Sequence, residues 1–184
     1  MRKIIVTEWM SLDGITDAAT MAEWFNPYHS DSRANAIRET IHNSEIMLYG
    51  RVTYQMLYPY WSAMKNNEMG VAEKLNTSKK YVVSATLTEA PWEHTTVIKE
   101  DPVKAVTELR NQEGGPVLVQ GSATLVKTLV ASGLVDEWKL LVQPHIMGTG
   151  AGRLFAGIHT SLDLLQVQQL EKGVLQLCYG RGRK

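Results

Sequence analysis

Along the chain, short apolar runs alternate with stretches whose apolar residues recur every three or four positions, and the two patterns predict different elements. Lys3 to Met10 is rich in Ile, Val, Thr and Trp and ends at Leu12-Asp13-Gly14, which reads as a strand running into a turn. Glu45 to Gly50, Lys80 to Ser84, Thr96 to Ile98 and Pro116 to Gln120 read as further strands. The most apolar of these match strands buried on both faces. Between them, Ala34, Ile37 and Ile41 share one face of a helix capped at Asp31-Ser32 and reaching about His42. Arg51 to Leu57 begins a helix that Pro59 should stop, and Val71 to Asn76 forms a short one. Asp101-Pro102 opens a helix with Val103, Val106 and Leu109 inward, ended by Gly114-Gly115. Ser122 caps Ala123 to Ala131, which stops at Gly133.

To this point strands alternate with helices, the signature of a parallel sheet with crossover helices. The last third differs. Asp136 to Met147 reads as one long strand, and Gly148 to Gly157 as a Gly-rich connection. Leu162 to Leu170 and Val174 to Tyr179 are two strands joined by Glu171-Lys172-Gly173, a hairpin. The expected architecture is α/β with a mixed, mostly parallel central sheet and a C-terminal antiparallel hairpin. With no repeat or linker, residues 1–184 read as one domain. Ile15 to Ser30 is irregular, and its Trp24, Phe25, Pro27 and Tyr28 should pack over the core or a ligand.

Hydrophobic residues make up 44% and charged residues 21%, an ordinary globular balance. Nineteen basic and nineteen acidic residues cancel, which argues against nucleic acid as a partner. The basic tail Arg181-Gly182-Arg183-Lys184 reads as a solvated end. Cys178, the single cysteine, sits in a strand and reads as a small buried hydrophobe. Glu8 interrupts the N-terminal apolar run and no stretch approaches ~20 apolar residues, so no signal peptide or membrane span is expected, and the location is expected to be cytoplasmic.

GxxxxGK[ST], CxxC and HExxH are absent, and the five histidines are scattered without metal-ligand spacing. Gly148-Thr149-Gly150-Ala151-Gly152 lacks the Rossmann spacing and lies late in the chain. Two strand-to-helix steps carry more. At Gly50-Arg51-Val52-Thr53 the helix's first N–H groups lack intrahelical partners, Arg51 adds a fork of donors and Thr53 a hydroxyl, a set suited to a phosphate monoester. At Gln120-Gly121-Ser122-Ala123-Thr124 the glycine permits close backbone approach, while Ser122 and Thr124 can donate. Both lie at the carboxyl ends of strands, where ligands of such sheets bind, and together they suggest a ligand with two separated phosphate groups.

These steps fall in an ordered series. Trp9 to Gly14, Leu48 to Tyr54, Lys80 to Leu87, Val119 to Leu125, Gly133 to Glu137 and Pro144 to Phe155 follow one another along the chain. The series resembles the dihydrofolate-reductase-like family, which includes the reductase domain of the bifunctional riboflavin-biosynthesis deaminase-reductase, from about Lys3 to about Tyr179. The resemblance implies a three-layer NADPH-binding fold. By position, Gly50, Arg51 and Thr53 would hold the adenosine 2′-phosphate, and Ser84 and Thr86 would flank the adenosine. Gly121, Ser122, Ala123 and Thr124 would cradle the pyrophosphate. Trp9, Asp13 and Arg153 would meet the nicotinamide and substrate. It also implies a homodimer formed through the C-terminal part of the sheet.

The reaction implied is hydride transfer to a carbonyl or imine carbon of a small, pterin- or ribityl-pyrimidine-like substrate. Asp13 is the candidate general acid, the alternative being an aspartate that serves only the turn before Gly14. The alternative is a scaffold that binds a dinucleotide or other small molecule without turnover. Dihydrofolate reductase itself carries an acid on its first long helix, where this chain offers only Asp31 and Glu39. A ribose-phosphate substrate calls for basic residues near the cleft, for which Arg33, Arg38 and Arg153 are the candidates.

Overall fold

The computed structural model describes residues 1–150 and 152–182. Its strands are β1 (Ile4–Ser11), β2 (Ile46–Gly50), β3 (Lys79–Val83), β4 (Thr95–Ile98), β5 (Val117–Val119), β6 (Glu137–Gln143), β7 (Leu162–Gln169) and β8 (Leu175–Arg181). Its α-helices are α1 (Met21–Trp24), α2 (Asp31–His42), α3 (Arg51–Ala63), α4 (Ala72–Thr77), α5 (Pro102–Asn111) and α6 (Ala123–Ala131). The strands form one sheet in the order β4-β3-β2-β5-β1-β6-β8-β7. From β4 to β6 every pairing is parallel, and β8 and β7 then join antiparallel.

Side-chain alternation along the strands supplies both faces of this sheet. Ile4, Val6, Leu48, Val117 and Val119 face α5 and α6, meeting Val106, Leu109, Leu125, Val126 and Leu129. Ile5, Met47, Tyr49, Val82 and Leu118 face the other way, against Ile41 of α2, Tyr54 of α3 and Leu75 of α4. The result is the expected three-layer α/β arrangement. β2 and β5 are buried at every position, as their unbroken apolar runs predict.

Three local expectations are corrected. Pro59 does not stop α3, which continues to Ala63. Pro59 is exposed, so the carbonyl it leaves without a donor can face water. Leu57, Tyr58 and Trp61 meanwhile pack on the core around Trp92 and hold the helix together. The cap of α2 is Ser30, whose Oγ accepts from Arg33 N at 3.3 Å. Ser32 is engaged elsewhere: its N–H donates to Glu171 Oε2 and its Oγ accepts from Glu171 N, tying α2 to the hairpin turn.

β6 ends at Gln143, because Pro144 has no N–H and the next carbonyl, His145 O, accepts from Leu12 N at 2.7 Å. Within Ile15 to Ser30, Trp24 and Phe25 are buried, and Phe25 stacks on Trp9 with centroids 4.6 Å apart. Cys178 is buried and free. Of the basic tail, Arg181 donates to the carbonyls of Gly133 and Val135, whereas Arg183 and Lys184 lie outside the described residues. Ala151 of the Gly-rich connection does too. Among the described residues, no helix is long and apolar enough to cross a membrane.

Candidate functional site

β5 is three residues long and leaves β1 at the Val6–Val119 pair, whereas β1 runs on to Ser11 paired with β6. Beyond Val6 the other edge of β1 is therefore open, and a cavity of about 560 Å³ lies there. Thr7, Glu8 and Trp9 of β1 form one wall, and Val52, Thr53, Met56 and Leu57 of α3 another. The segment Gln120 to Thr124 closes a third side, and Asp17, Ala18, Ala19, Met21 and Trp24 the fourth.

A second cavity of about 260 Å³ is lined by Gly50, Arg51, Ser84, Ala85 and Thr86, and it shares Val52, Ser122 and Thr124 with the first. All nine residues assigned from sequence to a cofactor thus line one cavity or the other, although they come from three strand ends. Gly50, Arg51, Ser84 and Thr86 belong to the second, Thr53, Gly121 and Ala123 to the first, and Ser122 and Thr124 to both. Trp9 lines the first, with Phe25 stacked on its ring.

The two strand-to-helix steps touch. Gly50 N donates to Gly121 O at 2.9 Å, and a Cβ on Gly50 would lie 2.5 Å from Ser122 Oγ and 2.9 Å from Ser122 N. Gly121 adopts φ +78°, open to glycine, and the Gly121–Ser122 peptide is cis. Neither α3, preceded by Gly50, nor α6, preceded by Ser122, has a side-chain cap, so both present free N–H groups at their starts. Arg51 is exposed and reaches Gln55 Oε1 at 2.9 Å. Ser84 Oγ accepts from Thr86 N and Leu87 N, which shapes the turn beside the second cavity.

The other candidates go elsewhere. Asp13 lines neither cavity. Its carboxylate accepts from Ser11 Oγ at 2.6 Å, Met147 N at 3.1 Å and Gly148 N at 2.8 Å. These donors, Ser11 above all, hold its pKa down at about 2, so it is an ionised clasp between the turn after β1 and residues 145–148. Arg153 lines neither cavity and donates to Gly148 O at 3.3 Å. Arg33 is buried, its guanidinium donating to Phe25 O at 2.6 Å and lying over the Phe25 ring. Arg38 packs beside Gly70. Asp31 and Glu39 are exposed on α2, away from both cavities.

The residue that sequence reading missed is Glu8. It shares the parity of Val6 and Met10, both core positions, yet it lines the first cavity. Its Oε1 lies 3.3 Å from where a Gly121 Cβ would be, and its carboxyl has no hydrogen-bond or ion-pair partner among the described residues. Half-buried by accessible surface but surrounded by protein, it resists ionisation, and desolvation lifts its pKa to about 8. The available signal was a single acid inside the apolar strand Ile4-Ile5-Val6-Thr7-Glu8-Trp9-Met10.

Residues 2–176 match the family described as the RibD C-terminal domain. The chain belongs to that family. Beside this RibD C-terminal domain, a Bacillus subtilis (strain 168) protein named uncharacterized protein YyaP is 28% identical over 141 residues, 73% of each chain. Among solved structures, the Thermotoga maritima diaminohydroxyphosphoribosylaminopyrimidine deaminase/5-amino-6-(5-phosphoribosylamino)uracil reductase superposes with a TM-score of 0.69 at 13% identity, over 98% of this chain and 57% of that one. Enterococcus faecalis dihydrofolate reductase complexed with NADP(H) gives 0.65 at 12% identity, over 98% and 97%. At those identities the structures establish a shared fold, the dihydrofolate-reductase-like one.

Proposed function

We propose that this chain is an NADPH-dependent reductase acting on the carbonyl or imine carbon of a small ring substrate. The observation that carries the reading is the pair of adjoining cavities with an uncapped helix start at each phosphate-suited step. The residues fit the cofactor. The free N–H groups at the start of α6, with Ser122 and Thr124, would hold the pyrophosphate, and they sit where the two cavities join. Arg51, exposed at the second cavity with donors to spare, would hold the 2′-phosphate beside the start of α3. Ser84 and Thr86 would border the adenosine, leaving the first cavity, with Trp9 and Thr53, for the reacting end and the substrate. When bound, the cofactor supplies a hydride; the chain supplies orientation and shelter from water.

Membership of the RibD C-terminal domain family and the dihydrofolate-reductase-like fold support this reading. The test is titration with NADPH and NADH, followed by quenching of Trp9 and Trp24. Micromolar NADPH binding with far weaker NADH is expected, and Arg51→Ala should erase most of that preference. Equal loss for both nucleotides would remove the 2′-phosphate assignment. The reading includes a homodimer, supported by the edge strand β7, which exposes Leu164, Leu165 and Val167.

A further inference from the structure

The first cavity has a charge character that the proposed reduction does not require. Among the described residues no Lys, Arg or His lines it. Its ionisable residues are Glu8 and Asp17, and its remaining walls are largely apolar, with Trp9, Trp24, Met21, Met56 and Leu57. None of the three arginines suited to a phosphate on the substrate lines it: Arg33 and Arg153 donate to carbonyls elsewhere, and Arg38 lies beside Gly70. A phosphate ester placed here would give up part of its hydration and share the cavity with the Asp17 carboxylate, with no basic side chain to compensate. The Thermotoga maritima relative is named for reducing a phosphoribosylamino compound; with the α6 start given to the cofactor, no basic side chain lining this cavity is left to recognise that second phosphate.

We infer that the cavity selects an uncharged, phosphate-free flat ring, and that Glu8 binds it by donating its carboxyl proton as a hydrogen bond to the ring's carbonyl oxygen or imine nitrogen. The partly exposed Trp9 indole at the cavity favours a flat molecule. The proton is available because desolvation keeps Glu8 protonated up to about pH 8. No neighbour offers an alternative charge balance. Thr53, Val52, Met56 and Leu57 from α3 and the whole segment Gln120 to Thr124 are neutral. Asp17 lines the same cavity and accepts from Ala19 N at 3.0 Å. Lys139 on β6 pairs with Thr7, and so lies on the opposite face of the sheet from Glu8. The inference rests on the reductase reading for the identity of the site and adds to it the class of substrate.

The probes are 4-methoxyacetophenone and 4-acetylphenyl phosphate, which differ in charge at the same ring position. Binding is followed by the indole N–H signals of Trp9 and Trp24, with NADPH titrated into the same sample. The neutral ketone should bind at least ~10-fold more tightly than the phosphate. Its affinity should fall roughly tenfold per pH unit above about pH 8 in the wild type and stay level in Glu8→Gln. A phosphate ester that binds as well or better, indole signals that neither probe moves, or a fall with pH that survives Glu8→Gln would each overturn the inference. A carbon-13 titration of the Glu8 carboxyl in the wild type needs no variant, and titration near the ordinary carboxylate range would also overturn it. NADPH binding with no neutral-ketone preference removes this inference alone. Ketone preference without NADPH binding removes the reductase reading and leaves the charge selection standing.

Discussion

Replacing Glu8 by Gln should stabilise the protein increasingly as pH rises. The folded protein holds the Glu8 proton up to about pH 8, against an ordinary value of 4.5. Below 4.5 both folded and unfolded chains keep the proton, and ionisation costs nothing. Between 4.5 and 8 the unfolded chain releases it while the folded one does not, so folding stability declines as pH rises; above 8 the deficit is constant. At about 1.4 kcal/mol per unit, the whole window is worth up to ~5 kcal/mol and the part below pH 7 up to ~3 kcal/mol. The carboxyl opens onto a cavity that admits water, so about half of that is the reasonable expectation, ~2 kcal/mol near neutrality. Gln keeps the shape and cannot ionise. Urea melts of wild type and variant at about pH 5 and pH 8.5 isolate the effect, because every other titrating group cancels in the difference. The variant's advantage should grow by ~2 kcal/mol or more between those points, equivalent to a gain of several degrees in Tm. A difference that stays flat with pH would refute the argument that protein around Glu8 suppresses its charge.

Gly50→Ala should lower both stability and NADPH affinity, since its Cβ would lie 2.9 Å from Ser122 N at the contact between the two helix starts. A thermal melt should record a loss of about 1–3 kcal/mol, and an unchanged Tm would show that the contact is slack. Asp13→Asn replaces the carboxylate that receives Met147 N and Gly148 N, so amide exchange at those two positions should quicken while the centre of the sheet stays protected. In the wild type that clasp should persist on acidification until pH nears about 2, because the folded pKa is depressed and its contribution is lost only as pH falls through it. If β7 forms the homodimer contact, Val167→Lys should shift sedimentation from dimer to monomer; a dimer that survives places the interface elsewhere.

The sheet was legible because its central strands are buried on both faces and leave unbroken apolar runs, as at Ile46 to Tyr49 and Val117 to Val119. The two helix starts were legible for a local reason too: strand, glycine and helix lie within a few residues at Gly50 and at Gly121. What failed was decided by distant partners. Pro59 stays in α3 because of side chains packed around Trp92. Asp13, in the turn after β1, lies outside both cavities because, besides nearby Ser11, it is held by Met147 and Gly148 more than a hundred residues on. Glu8 was passed over because nothing near it in sequence says that the neighbouring strand has ended.

That ending converts a core position into a cavity wall. Val6 and Met10, on either side of Glu8 and of the same parity, are almost wholly buried in the layer beneath α5 and α6. A carboxyl fully enclosed at that depth without a partner would cost several kcal/mol and would be hard to retain. Because β5 stops opposite Val6 and turns away at Gly121, the flank of β1 at Glu8 is left open to the first cavity. Gly121 keeps that space clear: a Cβ there would come within 3.0 Å of Thr53 Oγ1 and 3.3 Å of Glu8 Oε1. Gln120 Oε1, also without a partner among the described residues, belongs to the same cavity lining. Two polar side chains without partners among the described residues thus line one cavity where one strand is shorter than its neighbour. The length of β5, more than any residue motif, determines where this cavity opens on the sheet.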